Sequence, residues 1–317
     1  MSQEKASFLK IRLTSIHPSK PLTFNIYVFI HNHYTLYLRE GEIITPQKLA
    51  SLAAKSHSDF FFVSADQWGA YKSFIHQQIT AEDIPASVKA QILRESSVAL
   101  VEELFEHPDV NVALDSSRPI IDNFVSFMET EPEAMGHLIS LSGHDFYTYN
   151  HSLDVSIYAL GLGKVLGMTP KELEELGLGA LFHDIGKRNV SLDILCKKGP
   201  LDKDEWAAMQ QHPQFGFVIL DQNPNVTDAA KATAFEHHES FTGNGYPQQL
   251  VGEEIHPFAR IVAITDTYDA LTTQRSYNQP KKPLEAIEFM IEQIKGRFDP
   301  EMMKAMHSVL FNVKKTG

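Results

Sequence analysis

The sequence predicts the α+β fold class: a small mixed α/β domain over residues 1–82, followed by an all-α domain over residues 83–317. In the first part, short apolar segments alternate with polar residues at a period of two, as half-buried strands do. From Ile84 onward, apolar residues recur at the three- and four-residue spacing of a helix face, and strand signals are scarce. The turn-forming string ITAEDIP lies between the two patterns, so we place the domain junction near residue 82.

Each element of the first domain has its own signal. The string FLKIRLTSI predicts a strand because Leu9 and Ile11 alternate with polar residues. NIYVFI and TLYLRE follow as a predicted hairpin, TPQKLASLAAKS as a helix and FFFV as a buried strand. The next segment carries large apolar residues at helical spacing, which we interpret as core rather than as a ligand cage: Trp68, Tyr71, Phe74 and Ile75.

The second domain begins with a helical linker over residues 83–140. An apolar stripe runs from Val88 to Phe105, and two further helices are predicted to contain Ile120–Met128 and Leu138–Leu141. A histidine-rich region follows the linker, again with helical periodicity. We therefore expect the second domain to be predominantly α.

Composition limits the possible functions. The chain has 317 residues, a formal net charge of -12 and one cysteine. The acidic balance argues against binding of long nucleic acid, whose phosphates attract clustered lysine and arginine. No apolar run approaches the roughly 20 residues of a membrane span, and the start MSQEKASFLK predicts no secretory signal. One cysteine excludes an internal disulfide framework, so we expect a cytoplasmic protein.

A set of histidines and aspartates carries the chemistry. His151 lies in an apolar helical segment with Val155 and Tyr158 on its own face. Alone, such a histidine is more often a hydrogen-bonded core residue than a metal ligand. The potential ligands that recur further along the chain favour a metal-binding role for His151.

The pair His183 and Asp184 closes the predicted helix LEELGLGALFHDIGK, and Gly186 permits that helix to stop. A carboxylate has two oxygens and can bridge two metals, whereas an imidazole ligates one, so the pair suits two neighbouring ions. A polar helix cap is the alternative interpretation of this pair. Lys187 adds a cation beside it.

Further candidate ligands follow downstream. His212, His237 and His238 supply imidazoles of the kind that iron, manganese and zinc accept, although each alone is also typical of a surface. Asp266 and Asp269 lie at helical face spacing in the apolar string RIVAITDTYDAL, where an unpaired carboxylate is strongly disfavoured. We expect Asp266 to be paired or metal-bound, and Asp269 to orient either water or another ligand.

The strings HDIGK, HHE followed by GNGYP, and DTYDALTTQRSY occur in this order along the chain. Together they resemble the HD-GYP branch of the HD phosphohydrolase superfamily, over roughly Phe146 to Leu310. The resemblance implies an all-α HD-GYP helical bundle that hydrolyses cyclic di-GMP to linear pGpG, to GMP, or to both. It also implies two divalent transition-metal ions, iron being expected and manganese the alternative.

The resemblance assigns roles residue by residue. One metal would be held by His151, His183, Asp184 and Asp266, with Asp184 bridging, and the second would be completed by His212, His237 and His238. Substrate phosphate would be contacted by Lys187 and Arg275, and Tyr246 of GYP would contact the ligand at the mouth of the site. Asp269 is our candidate for orienting the attacking water.

Two positions depart from the family pattern. Members that hold three metals carry a glutamate one helical turn before the first histidine, where this chain has Tyr147, so we predict two metals. Thr242 replaces the aspartate that commonly precedes the GxGYP loop. This departure leaves open a catalytically weak module that binds cyclic di-GMP and signals through a protein partner.

Another open alternative is an HD phosphohydrolase of a different nucleotide, because metal ligands do not distinguish one base from another. We interpret the first domain as a regulatory unit and as the candidate contact for a protein partner. Its sequence shows no glycine loop, metal cluster or basic patch that would indicate a ligand of its own.

Overall fold

The computed structural model describes residues 8–18, 20–49, 61–106, 109–131, 133–142, 148–274 and 279–313. The chain forms two compact units, Met1–Glu106 and His107–Gly317. Among the described residues, the first unit contains a small antiparallel sheet and helices, and the second unit is helical. The predicted α+β class is therefore confirmed.

The sheet has four strands, which are β1 Phe8–Ile11, β2 Ile26–Ile30, β3 His33–Leu38 and β4 Phe61–Ser64. Their order is β1-β4-β2-β3, and every neighbouring pair is antiparallel. Strands β2 and β3 form the predicted hairpin. The two residues of its turn, His31 and Asn32, have φ values of 49° and 67°, as a type I′ turn requires.

Two helices complete the first unit, α1 Trp68–Thr80 and α2 Ala86–Glu106. Tyr71, Phe74 and Ile75 are buried, which confirms their assignment to the core, and the partly exposed Trp68 stacks on Tyr71 at 4.8 Å. Helix α2 packs against α1 and β1 and so belongs to this unit, whereas the functional boundary near residue 82 stays a prediction. Of the helix predicted over residues 45–56, residues 46–49 are helical and the remainder lies outside the described residues.

The second unit contains a series of helices joined by short loops. Its elements are α3 Val110–Thr130, α4 Ala134–Leu141, α5 Thr148–Val165, α6 Pro170–Leu181, a 3-10 helix Ile185–Asn189, α7 Leu192–Leu195, α8 Lys203–Met209, α9 His212–Asp221, α10 Asp228–Glu236, α11 Pro257–Thr272, α12 Pro283–Gln293 and α13 Pro300–Val313. Helix α3 contains Ile120–Met128 and α4 contains Leu138–Leu141, as predicted.

Helix α5 is central to this unit because it packs against α4, α6, α11 and α13. Val155, Tyr158 and Leu162 of α5 are buried in one apolar cluster with residues of α6 and α11. Helix α6 begins at a capping box in which Thr169 and Glu172 satisfy each other's backbone N–H groups. The core therefore fixes α5 and α11, which carry predicted metal ligands, and α6, which ends just before His183 and Asp184.

Within the described segments, none of the helices combines the length and apolar character that a bilayer crossing requires.

Candidate metal centre

Five helices of the second unit, or the turns that follow them, bring the histidines and aspartates together. His151 lies in α5, His183 and Asp184 follow the end of α6, and His212 is the first residue of α9. His237 and His238 follow the last residue of α10, and α11 carries both aspartates, Asp266 and Asp269. Residues that are far apart in sequence thus meet at one buried place between helices.

The predicted end of the His183–Asp184 helix needs correction. Helix α6 ends at Leu181, so the pair lies in the following turn, and Gly186 does not adopt the left-handed conformation of a helix stop. Gly186 serves close packing instead. A Cβ atom at this position would lie 1.9 Å from the carbonyl oxygen of His212 and 2.4 Å from the nitrogen of Gly216. Only glycine lets this turn contact α9.

Three imidazoles are oriented in the same way by the backbone three residues earlier. The Nδ1 atoms of His183, His212 and His237 lie 2.7, 2.8 and 3.0 Å from the carbonyl oxygens of residues 180, 209 and 234. A carbonyl only accepts, so each Nδ1 carries a proton, and in the neutral ring Nε2 keeps its lone pair. All three rings therefore present a metal-binding nitrogen, with the tautomer fixed by its backbone partner.

Asp184 lies where these nitrogens converge. Its Oδ1 is 3.3 Å from His212 Nε2 and 3.8 Å from His237 Nε2. Its Oδ2 is 3.4 Å from His183 Nε2 and 3.8 Å from His151 Nε2. The two oxygens thus face different sets of imidazoles, an arrangement that suits a bridging carboxylate.

Asp269 orients the His151 ring through a hydrogen bond with its Nδ1 atom. His151 Nδ1 donates to Asp269 Oδ2 at 2.7 Å, and His151 Nε2 lies 3.3 Å from Asp266 Oδ1. Asp269 is fully buried and also accepts a hydrogen bond from the hydroxyl of Thr273 at 3.0 Å. Both of its oxygens are therefore engaged by protein groups, which supports its role in orienting a ligand more than a role in orienting water.

The potential ligand atoms form two groups, each with its atoms within 4.8 Å of one another. One contains Asp184, His212, His237 and His238, and the other contains His151, His183 and Asp266. Imidazole and carboxylate donors in these numbers suit divalent iron, manganese or zinc. Assignment of individual residues as ligands stays a prediction.

Two atoms of these groups support the fit of a cation. His183 Nε2 and Asp184 Oδ1 are buried and make no hydrogen bond, although buried polar atoms in folded proteins nearly always have a partner. His212 Nε2 and His237 Nε2 lie 3.3 Å apart, and both carry lone pairs when their Nδ1 atoms are protonated. A positive charge between these nitrogens would remove the repulsion and satisfy the orphaned atoms.

The protonation states suit metal binding on one side of the centre. Burial lowers the pKa of His237 well below its ordinary value and the pKa of His238 to about 3. Burial opposes ionisation of Asp184, but Lys187, His183 and His212 together outweigh it and hold the pKa of that carboxyl well below its usual range. Neutral imidazoles and an ionised carboxylate are the forms that bind divalent cations.

His151 differs from these imidazoles because two carboxylates surround it. Burial opposes its charge, yet hydrogen bonds to Asp266 and Asp269 outweigh burial and raise the pKa of His151 to about 10. Burial likewise opposes ionisation of Asp266, but the hydrogen bond and charge of His151, together with His183 and His238, outweigh it and lower the pKa of that carboxyl. A concentrated negative charge therefore lies on this side, which attracts a proton or a metal cation.

Glu239 is a functional residue that the sequence analysis passed over. Its buried carboxylate accepts backbone N–H groups of Gln248 at 2.6 Å, Gln249 at 3.1 Å and Leu250 at 3.1 Å. These bonds join the two ends of the GYP loop, residues 239–250. The string HHE contains this glutamate but does not reveal its partners, because they are the N–H groups of residues 248–250.

Tyr246 contacts a potential metal ligand through its ring. Its ring stacks on His238 with centroids 4.8 Å apart and planes at 25°. Burial raises the pKa of Tyr246 above its ordinary value, so its hydroxyl stays protonated. The backbone is closely packed at Gly245, since a Cβ atom there would lie 2.2 Å from the backbone nitrogen of Ser240.

The sequence points to four further positions: Lys187, Thr242, Arg275 and Tyr147. Lys187 contacts the carboxylate of Asp184, and its side chain is about one-third exposed. Thr242 is exposed, and its backbone N–H donates to the carbonyl of Gly296 at 3.1 Å. Arg275 and Tyr147 lie outside the described residues, so their predicted roles stay predictions.

The fold and these donors define a class of protein: a helical domain with a buried histidine and aspartate centre suited to divalent metal. The HD domain family model matches residues 133–302. The chain belongs to the HD domain family. The resemblance to the HD-GYP branch is also confirmed.

Curated relatives agree with this assignment. A cyclic di-GMP phosphodiesterase of Pseudomonas aeruginosa is 34% identical over 218 residues, which are 68% of this chain and 52% of the relative. A 3'3'-cGAMP-specific phosphodiesterase of Vibrio cholerae is 32% identical over 59% of this chain and 36% of the relative. A cyclic di-GMP phosphodiesterase of Thermotoga maritima is 35% identical over 51% of this chain and 44% of the relative. The chain spans about half the length of these relatives or less.

A solved structure shares the fold. An HDG"Y"P protein from Bdellovibrio bacteriovorus superposes with a TM-score of 0.74 at 22% sequence identity. The match covers 96% of this chain and 100% of that protein.

Proposed function

We propose that this protein is a binuclear-metal-dependent phosphodiesterase that hydrolyses cyclic di-GMP to linear pGpG, GMP or both. The observation that carries the proposal is the pair of donor groups facing the two oxygens of Asp184. Names of the relatives support the reaction class, because they are called phosphodiesterases of cyclic dinucleotides. Iron is the expected metal, and manganese is the alternative.

The residues present fit the roles that such a reaction requires. His151, His183, Asp184 and Asp266 would hold one cation, and His212, His237 and His238 would complete the site of the second. When bound, divalent cations lower the pKa of coordinated water and offset negative charge on phosphoryl oxygens. Lys187 lies beside Asp184 with a partly exposed side chain, so its ammonium can contact a phosphate oxygen.

Charge around the centre supports an anionic substrate. The net charge of -12 would repel a cyclic dinucleotide from most of the protein surface. The segment Lys187–Lys203 differs, because it contains five basic residues and two acidic ones, Asp193 and Asp202. This segment joins the Asp184 turn to α8, and its charge would favour approach of phosphate groups.

We also propose that the protein acts in the cytoplasm and that the first unit contacts a protein partner. The resemblance implies a cyclic dinucleotide substrate, and the first unit carries none of the potential metal-ligand groups found among the described residues. We expect turnover to change when this unit is deleted or when a protein partner binds to it.

The test is hydrolysis by the full chain after anaerobic loading with iron or manganese. We expect conversion of cyclic di-GMP to pGpG or GMP, separated by chromatography. The double substitution His183→Ala and Asp184→Ala removes donors from both groups, and we expect it to abolish product formation. His76→Ala, at an exposed position of α1, is the matched control and should keep the wild-type rate.

Each other outcome has a stated meaning. Undiminished hydrolysis by the double variant would refute the metal-dependent mechanism. Tight binding of cyclic di-GMP without product across iron, manganese and zinc would favour the catalytically weak module. Faster turnover of 3'3'-cGAMP than of cyclic di-GMP would change the substrate while keeping the reaction class.

A further inference from the structure

An exposed tryptophan lies next to the GYP loop. Trp206 is 48% exposed, although a large aromatic side chain is usually mostly buried. Its ring centroid lies 6.3 Å from that of Tyr246, and the two ring planes meet at 77°. Tyr246 in turn stacks on His238, a member of one potential metal-ligand group. A series of ring contacts therefore connects the candidate metal centre to a partly exposed indole.

The helix that carries Trp206 also orients a potential metal ligand. Helix α8 is fixed at its start by a capping box between Asp202 and Glu205. At its end, the carbonyl of Met209 accepts the Nδ1–H of His212 at 2.8 Å. Trp206 lies one turn before Met209, so the indole has a defined position relative to the centre.

Charges of both signs lie close to this tryptophan along the chain. The basic segment Lys187–Lys203 ends at the first residue of α8, Asp204 and Glu205 precede Trp206, and Lys197 pairs with Glu205. An exposed aromatic ring can bind a nucleotide because a base stacks on its face. Two nearly perpendicular rings provide one stacking face and one edge for a planar ligand.

We propose that Trp206 is a binding residue that stacks with a purine base of the bound cyclic dinucleotide, at the corner it forms with Tyr246. The inference rests on the proposed function for the nature of the ligand. It adds a base-recognition element on α8, separate from the metal ligands and from the phosphate contacts. Stacking of this kind is sequence-tolerant, so Trp206 contributes affinity for guanine and adenine alike.

Kinetics of Trp206 variants test this role in the metal-loaded full chain. For Trp206→Ala we expect the KM for cyclic di-GMP to rise roughly tenfold or more, with kcat changed less than about threefold. Trp206→Phe keeps an aromatic face and should stay within about threefold of the wild-type KM. Val218→Ala is the matched control, because Val218 on α9 is also 48% exposed and should keep the wild-type KM.

Fluorescence gives a readout that does not depend on turnover. The chain has two tryptophans, so Trp68→Phe leaves Trp206 as the only indole. We expect a phosphorothioate analogue of cyclic di-GMP to quench its emission saturably, with an unchanged metal content. This measurement keeps the proposal testable if Trp206→Ala does not fold.

The outcomes separate the two proposals. Unchanged KM in Trp206→Ala together with no quenching would overturn the stacking role while leaving the phosphodiesterase intact. Quenching by the analogue in a protein that forms no product would support stacking and refute hydrolysis. Absence of both quenching and product would refute both.

Discussion

Asp184 links the two groups of potential metal ligands, and the surrounding residues hold its carboxylate ionised. Its two oxygens face different imidazoles, and Lys187 contacts it from the side. The arrangement leaves a carboxylate oxygen and a histidine nitrogen buried without hydrogen bonds. In a protein without cations this would cost stability, because each unpaired buried polar group is unfavourable by about 1–3 kcal/mol.

Asp269 gives a prediction at the same scale. Asp269→Asn keeps the shape of the side chain but removes the charge that faces His151 Nδ1 at 2.7 Å. Since such a partner orients a ligating histidine and raises its basicity, we expect metal affinity to fall by about 10–100-fold. Competition with a chelating dye would measure this loss.

Thr265→Val is the control for Asp269→Asn. Thr265 is also fully buried in α11, but its hydroxyl bonds only to the backbone carbonyl of Val262 at 3.3 Å. The control should keep the wild-type affinity. Equal metal affinity in Asp269→Asn and wild type would contradict the orienting role.

Residue chemistry explains which positions were predictable from the sequence. Asp266 and Asp269 stood out because carboxylates are rare in an apolar helix, and they do lie beside His151. The task of Glu239 was not visible, since its partners are the N–H groups of residues 248–250, which depend on how the loop folds back. Trp206 was missed because one tryptophan in a charged helix has no periodic pattern.

At the scale of elements, the contact between the Asp184 turn and α9 decides the geometry of the centre. Gly186 allows this contact, because any larger residue would overlap the backbone of His212 and Gly216. His212 is the first residue of α9, so a displaced helix would take a potential ligand with it. We therefore expect the packing at Gly186 to affect metal binding.

Gly186→Ala tests that coupling. We expect it to destabilise the second unit by about 1–3 kcal/mol or more, because overpacking forces the backbone apart, and to reduce the bound metal. Gly69→Ala is the control, since a Cβ at Gly69 in α1 meets nothing within 4 Å. It should be neutral or stabilising by up to about 1 kcal/mol. Thermal unfolding with metal analysis would measure both, and wild-type stability of Gly186→Ala would contradict the close packing.

Local patterns predicted most elements, but their ends depend on tertiary contacts. The β2-β3 hairpin follows from the alternation of its strands, and α6 follows from Thr169, Pro170 and Glu172. The end of α6 was wrong because Gly186 was interpreted from its usual role as a helix stop. Its actual role depends on α9, which lies more than twenty residues further along the chain.

At the scale of the whole molecule, the fold class of a mixed part followed by a helical part is confirmed, whereas the boundary near residue 82 stays a prediction. The change in hydrophobic period marks that division. It did not show that α2 packs with the sheet, because a helical stripe indicates a buried face without indicating its neighbour. The division of labour between a regulatory unit and a metal-dependent unit stays a prediction.

The overall charge of the chain has the same sign as that of the proposed substrate. A chain of net charge -12 must bring an anionic substrate to a centre that itself contains Asp184 and Asp266. Cations bound there would reverse the local potential and would also stabilise the folded unit by mass action. Metal occupancy, stability and turnover should therefore change together.

The most direct test is a titration of metal-free protein with Fe²⁺ or Mn²⁺ under anaerobic conditions. Bound metal and cyclic di-GMP turnover are measured on the same samples. The two donor groups predict saturation at two ions per chain, with full turnover only when both are bound. Turnover without metal, or full turnover with one ion per chain, would contradict the binuclear centre.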